Sequence, residues 1–203
     1  MDNIFFIAIL IMSIVIHEVS HGFAALYFDD RTALYAGRLT LNPLKHLDMF
    51  GSVLLPLVLV LTNAPFLFGW AKPVPYNPEN LNNKRLGTLA VASAGVLSNI
   101  FLAVFFGLIL RFSLHIGVSM GFVSIMSVIV LVNLGLAIFN LLPLAPLDGS
   151  KIFSSLLPRS FHGAVQFLEQ YSFILLLLFI VFFSHYLSPV IGYLFHVITG
   201  LAF

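Results

Sequence analysis

Five long apolar stretches, residues 3–28, 51–68, 88–112, 118–142 and 171–187, occupy most of the chain, and a shorter one follows at 190–203. A helix needs about 20 mostly apolar residues to cross the hydrocarbon core of a bilayer, so the five meet or approach a spanning length. With 60% of the 203 residues apolar and 8% charged, the chain has too little polar surface to clothe a soluble domain. The expectation is an all-α integral membrane protein, a bundle of about five to six hydrophobic helices. Pro189 disfavours helical geometry at Ser188, so the last stretch is expected to begin a new helix. The N-terminal stretch lacks the basic flank of a cleaved leader and continues past ionisable residues, so it reads as a retained membrane helix. Three polar connections, 29–50, 69–87 and 148–170, are too short for a soluble module. A single domain over 1–203 is expected.

The formal net charge of +1 is spread thinly over the loops, which excludes the clustered basic face that nucleic-acid binding requires. There are no cysteines, so any tight metal site must be built from His and carboxylate ligands.

Within the first apolar stretch lies His17-Glu18-Val19-Ser20-His21. In a helix, residues four apart share a face, so His17 and His21 can hold one zinc ion between them. Glu18 lies off that axis, placed to take a proton from a water whose pKa the zinc lowers. The competing reading is a set of interhelical hydrogen-bonding groups. Three ionisable side chains within five residues of a membrane helix are costly without a compensating partner, and a cation supplies one.

Catalytic zinc usually has three protein ligands. Asp2, Asp29, Asp30, Asp48, Glu79 and Glu169 flank the apolar stretches, but the acid best placed by context is Asp148, which closes Asn140-Leu-Leu-Pro-Leu-Ala-Pro-Leu-Asp148-Gly149 at the end of the fourth stretch. Prolines there disrupt a helix and Gly149 permits an unusual backbone angle, so the Asp can turn back toward the protein interior. Taken without its partner motif, that stretch is more often a helix terminus with a solvated Asp.

Together the two motifs resemble those of the site-2 protease family of intramembrane metalloproteases, H-E-x-x-H and N-x-x-P-x-x-x-L-D-G. The resemblance implies that His17, His21 and Asp148 hold one Zn2+ per chain and that Glu18 activates water. It also implies that Asn140 holds substrate or stabilises the oxyanion, and a side-chain amide has the chemistry for that. Residues 38–43 (Arg-Leu-Thr-Leu-Asn-Pro) and 69–75 (Gly-Trp-Ala-Lys-Pro-Val-Pro) look like stretches of the compact prokaryotic members without soluble domains. One departure is Ala94-Gly95-Val96-Leu97-Ser98-Asn99, where Val96 stands in place of a proline common in relatives. Asn99 accordingly has two readings of equal weight, support of the site or plain interhelical hydrogen bonding.

A shared zinc requires His17 and Asp148 to reach one depth, so the helices of 3–28 and 118–142 should run parallel, with no net crossing between Asp29 and Gly87. One solution lets 51–68 enter the membrane as a helix and 69–78 return as extended backbone, because Lys72-Pro-Val-Pro75 cannot continue a helix. Such an edge would pair with an unwound substrate segment. An ordinary proline-rich surface loop is the equal alternative. Basic residues Arg31, Arg38, Lys45, Lys151 and Arg159 then place the active-site side in the cytoplasm, in a prokaryotic inner membrane, with Arg111 as an exception.

The expected activity is hydrolysis of a peptide bond in or near a transmembrane segment of a membrane-protein substrate. The alternatives are a non-catalytic scaffold or metal carrier, against which Glu18 argues, and a membrane metalloprotease acting on prenylated or soluble peptides through a Glu ligand. His46, His115, His162, His185 and His196 are isolated and read as interfacial or hydrogen-bonded residues. Trp70 reads as an interface marker.

Overall fold

The structure, a computed structural model, describes residues 3–62 and 71–201. Asp2, the end of the 51–68 stretch, Gly69 and Trp70 lie outside them.

The first membrane helix, α1 (Asn3–Tyr27), is apolar throughout. It ends where Asp29 enters the left-handed region (φ 73°) and the Asp30 N–H reaches back to the Ala25 carbonyl at 3.0 Å, a terminating loop that a short polar residue tolerates. After a single turn, α2 (Thr32–Tyr35), and a short 3-10 segment (Pro43–His46), the chain forms α3 (Leu55–Leu61) behind a π-helical turn. Residues 71–77 belong to no helix or strand; Asn77 is in the β region, and Pro73 and Pro75 bias the residues before them to extended backbone. Asn83 then accepts a hydrogen bond from the Leu86 N–H, capping the start of α4 (Lys84–Ser113). Ser119 caps α5 (Met120–Asn140) in the same way through Phe122. Beyond a proline-containing turn come α6 (Asp148–Leu156), α7 (His162–Gln170), α8 (Ser172–Leu178) and α9 (Leu187–Thr199).

Four helical runs among the described residues are long and apolar enough to span a membrane: Ile4–Tyr27, Lys84–Ser113, Met120–Asn140 and Ser172–Thr199. The count is lower than the apolar stretches suggest for two reasons. The 51–62 portion forms only short helical pieces, and 171–187 joins the last stretch in one helical run through π and 3-10 turns. Pro189 does not break that run. It sits in the first turn of α9, where its missing N–H has no helical acceptor to forsake.

The central helix is α4, which packs on α1, α5, α6 and α9. Ala103, Val130, Leu134 and Phe195 form the apolar core between α4, α5 and α9. Along α4, Val91 meets His21, while Asn99 meets His17 and Ser13, so α4 runs antiparallel to α1. Asn133 of α5 meets Ser13 while Asp148, beyond its end, meets His17 and His21, so α5 runs parallel to α1 as the shared site requires. The Asn82 N–H donates to the Phe28 carbonyl at 3.0 Å, so the chain between them leaves and returns at the same end of α1. Arg111, at the other end, donates to the Val197 carbonyl (2.9 Å) near the end of α9, a favourable place for a cation.

Candidate metal centre

The i, i+4 spacing places the imidazoles of His17 and His21 one above the other on α1, roughly 9 to 15 Å below its C-terminal end at the rise of an α-helix. Both are buried. Asp148 is the first residue of α6, and its Oδ2 lies 3.0 Å from His17 Nε2 and 3.2 Å from His21 Nε2. The two Nε2 atoms are 3.1 Å apart. A tetrahedral ion with bonds of about 2.0–2.1 Å holds its ligands roughly 3.3 Å from one another, close to this triangle.

The hydrogen bonds around the triangle identify what belongs in it. His21 Nδ1 lies 2.6 Å from the Val91 carbonyl oxygen, which can only accept, so Nδ1 carries a proton and the neutral imidazole, the form that binds metal, presents its lone pair at Nε2. His17 Nδ1 lies 2.6 Å from Asn99 Oδ1 and is placed the same way. Two lone pairs therefore face each other beside a carboxylate oxygen that is buried without a hydrogen-bond donor. Three converging electron-rich atoms repel one another unless a cation lies between them, and two imidazoles with a carboxylate are a zinc donor set.

Two glycines make the room. A Cβ on Gly95 of α4 would stand 2.5 Å from His21 Nε2 and 2.6 Å from His17 Nε2, so only glycine lets α4 pass this close to the rings. A Cβ on Gly149 would overlap the Leu141 and Leu142 carbonyl oxygens. Gly149 is not in the positive-φ region. The unusual backbone angle that glycine permits is not used here: the position needs glycine because α6 starts hard against the end of α5, which is what carries Asp148 to the histidines.

Glu18 is half-buried, and its Oε2 accepts the Val74 N–H at 2.8 Å. Extended backbone therefore reaches the depth of the His-Glu-His turn. Arg38, itself buried, donates to the carbonyls of Lys72 (2.6 Å) and Pro73 (3.2 Å). The Lys72 N–H donates to the His46 carbonyl (2.9 Å). At the far end, Asp30 accepts from the Asn77 N–H (2.6 Å) and the Asn80 amide (3.1 Å). Burial alone would raise the Asp30 pKa, but hydrogen bonds from the Thr32 hydroxyl, Asn77, Asn80 and the Thr32 N–H outweigh it and hold the carboxyl below its usual range. Gly22 leaves space for Leu39 and Val74 against α1, and Lys151 of α6 lies over the Tyr76 ring.

The other acids flanking the apolar stretches have other employment. Asp29 accepts from Asn82, Asp30 anchors the extended segment, Asp48 accepts from the Phe50 and Gly51 N–H groups, and Glu79 pairs with Lys84. Glu169 is exposed on α7. Asn140 donates to the Leu136 carbonyl of its own helix at 3.0 Å and does not join the His–His–Asp cluster. His46 Nε2 contacts the Thr40 carbonyl (2.8 Å) and His196 Nδ1 the Leu201 carbonyl (3.0 Å), hydrogen-bonding roles as expected. Sequence reasoning missed the roles of Gly95, Val91, Arg38 and Asn133. For Arg38 the signal was a cation flanking a membrane helix, and for Gly95 its place in the stretch 94–99 that resembles relatives; for the Val91 carbonyl there was none.

Comparison with known proteins agrees with the geometry. A family model described as Peptidase family M50 matches residues 115–183, the part that carries Asn140 and Asp148. A protein of Bacillus subtilis (strain 168) named "Putative zinc metalloprotease YwhC" is 40% identical over 179 residues, covering 85% of this chain and 78% of the relative. No solved structure matches. With that likeness over most of its length and a His–His–carboxylate cluster inside a membrane bundle, the chain belongs to peptidase family M50, the site-2 protease family of zinc metalloproteases.

Proposed function

We propose that the chain hydrolyses a peptide bond in or near a transmembrane segment of a membrane-protein substrate, with Glu18 as general base. The observation that carries this reading is the contact between Glu18 and Val74, because it sets extended backbone beside the base within a membrane helix bundle. His17, His21 and Asp148 would hold one zinc ion per chain. When bound, the metal supplies a Lewis acid that lowers the pKa of water and polarises the scissile carbonyl. Glu18 takes the proton from the attacking water and later delivers it to the leaving amine. Asn140, one turn and a short loop before Asp148, donates its amide to the oxyanion after releasing Leu136.

Residues 71–77 would receive the substrate. A helical substrate hides its scissile amide in internal hydrogen bonds, so it must unwind locally before it can lie along an extended edge. Pro73 and Pro75 have no N–H groups, and the Lys72, Val74 and Asn77 N–H groups and the Lys72 and Pro73 carbonyls are already engaged, which limits that edge to a short pairing. Arg31, Lys45, Lys84, Arg85 and Lys151 gather toward the end of the bundle where α1 finishes, which favours a cytoplasmic active-site side in a prokaryotic inner membrane.

The test is cleavage of a single-pass transmembrane peptide carrying a helix-breaking pair near its centre, by purified protein in liposomes. Wild type should cut it with zinc present. Glu18→Gln should keep its zinc and lose about 10²- to 10⁴-fold in rate. Equal cleavage by Glu18→Gln would overturn the base assignment. Cleavage of soluble peptides alone would overturn the substrate class.

A further inference from the structure

Three buried polar side chains on three membrane helices meet behind His17. Asn99 of α4 and Asn133 of α5 have 0% exposure, and Ser13 of α1 has 4%. Amides at this depth are costly unless every donor and acceptor is used. Here they form a chain: Asn133 Nδ2 lies 2.8 Å from the Ile129 carbonyl oxygen and 3.0 Å from Ser13 Oγ. Asn133 Oδ1 lies 2.8 Å from Asn99 Nδ2, and Asn99 Oδ1 lies 2.6 Å from His17 Nδ1.

The direction of this chain is decided by two backbone carbonyls, that of Ile129 at 2.8 Å from Asn133 Nδ2 and that of Ser13 at 3.5 Å from Asn99 Nδ2. The Ile129 carbonyl can only accept, so Asn133 must turn its NH2 toward it and its oxygen toward Asn99. Asn99 must then offer its NH2 to Asn133 and its oxygen to His17. His17 must answer with a protonated Nδ1, which leaves Nε2 as a lone pair facing His21 and Asp148. Ser13 Oγ plays no part in the choice, because a hydroxyl donates or accepts as required.

We infer that Asn99 and Asn133 are positioning residues that set the His17 tautomer for metal binding, with the Ile129 carbonyl, and more distantly the Ser13 carbonyl, fixing the direction of the relay. The inference rests on His17, His21 and Asp148 being the metal site. Outer partners that orient a ligating imidazole are typically worth 10- to 100-fold in metal affinity. Asn133 touches neither the ligands nor the metal triangle, yet its loss leaves Asn99 held in this orientation only by the long 3.5 Å contact to the Ser13 carbonyl, so that Asn99 can flip and present NH2 to His17. The proton then moves to Nε2, where it competes with the metal. A purely packing role for the same residues gives Ser13 and Asn133 equal importance, whereas the relay does not.

The experiment measures zinc affinity by chelator competition on the full chain in detergent for wild type, Asn133→Leu, Asn99→Ala, Ser13→Ala and the Asn99→Ala/Asn133→Leu double variant. The visible spectrum of each Co2+-loaded protein reports the geometry of the site. Asn133→Leu and Asn99→Ala should each bind zinc about 10- to 100-fold more weakly. The double variant should be no worse than Asn99→Ala, because the two act in series. Ser13→Ala should keep wild-type affinity and spectrum. Should Asn133→Leu fail to fold, Asn99→Ala against Ser13→Ala decides. Wild-type affinity in Asn133→Leu or Asn99→Ala, or an equal loss in Ser13→Ala, overturns the relay while leaving the metal site intact. Absence of zinc from wild type overturns the metal site and the relay together.

Discussion

The Val74 N–H donates to the Glu18 carboxylate at 2.8 Å, across 56 positions of sequence. This contact joins the extended segment to the His-Glu-His turn of α1 and fixes where the carboxylate points. A hydrogen bond to a charged group is worth about 1.5–3 kcal/mol.

Val74→Pro deletes the donor in a segment that already contains two prolines and is already extended. Turnover should fall about 10- to 100-fold, the rate equivalent of that bond, while zinc content stays at the wild-type level. Val74→Ala, which keeps the N–H, should stay close to wild type. Equal rates in both variants would show that Glu18 needs no such support.

Gly95→Ala puts a methyl carbon 2.5–2.6 Å from both metal-facing imidazole nitrogens. Neither backbone nor ring can yield without opening the α1–α4 contact. The expected result is a helical protein, by circular dichroism, that retains less than about a tenth of wild-type zinc, a loss in line with overpacking costs of about 1–3 kcal/mol. Full zinc occupancy would mean the helices separate more easily than their packing implies.

Asp148→Ala removes the only carboxylate at the histidine pair among the described residues. Zinc should be lost on dialysis, whereas Glu18→Gln should hold about one zinc per chain, since the base is not a ligand. Metal analysis by emission spectrometry separates the two, and retention of zinc by Asp148→Ala would reassign the third ligand.

The anchor at Asp30 predicts an acid limit for the extended segment. Its folded pKa lies below the ordinary 3.8, so its stabilising contribution is complete above the unfolded value and disappears as pH falls through the folded one. Amide-exchange protection of Asn77 should be flat from neutral pH down to about pH 4 and decline only below it. Asp30→Asn should lower that protection at neutral pH and remove the acid step. A step near neutral pH would point to another group.

Arg38→Ala leaves the Lys72 and Pro73 carbonyls without their donor. The segment should loosen by about 1–3 kcal/mol, visible as faster proteolysis near Lys72 and a raised KM, with zinc affinity unchanged. A rise in zinc dissociation instead would tie Arg38 to the metal site.

The sequence by itself determined what is local. Apolar length dictated membrane helices, because a continuous apolar span of about 20 residues satisfies its backbone within itself only as a helix. The i, i+4 period of a helix put His17 and His21 on one face, and the proline-glycine pattern around Asp148 marked a turn that would bring a third ligand inward. The need for a common depth even required α1 and α5 to be parallel. Tertiary structure alone decided which groups lie behind the three candidate ligands. The Val91 carbonyl that accepts from His21 Nδ1, the Asn99–Asn133 pair behind His17 and the Val74 donor on Glu18 are separated from their partners by 34 to 82 positions. Such contacts depend on how closely α1, α4 and α5 approach. That distance is set by side chains that are absent, as at Gly95 and Gly149, and no periodicity along one helix records the space its neighbour requires.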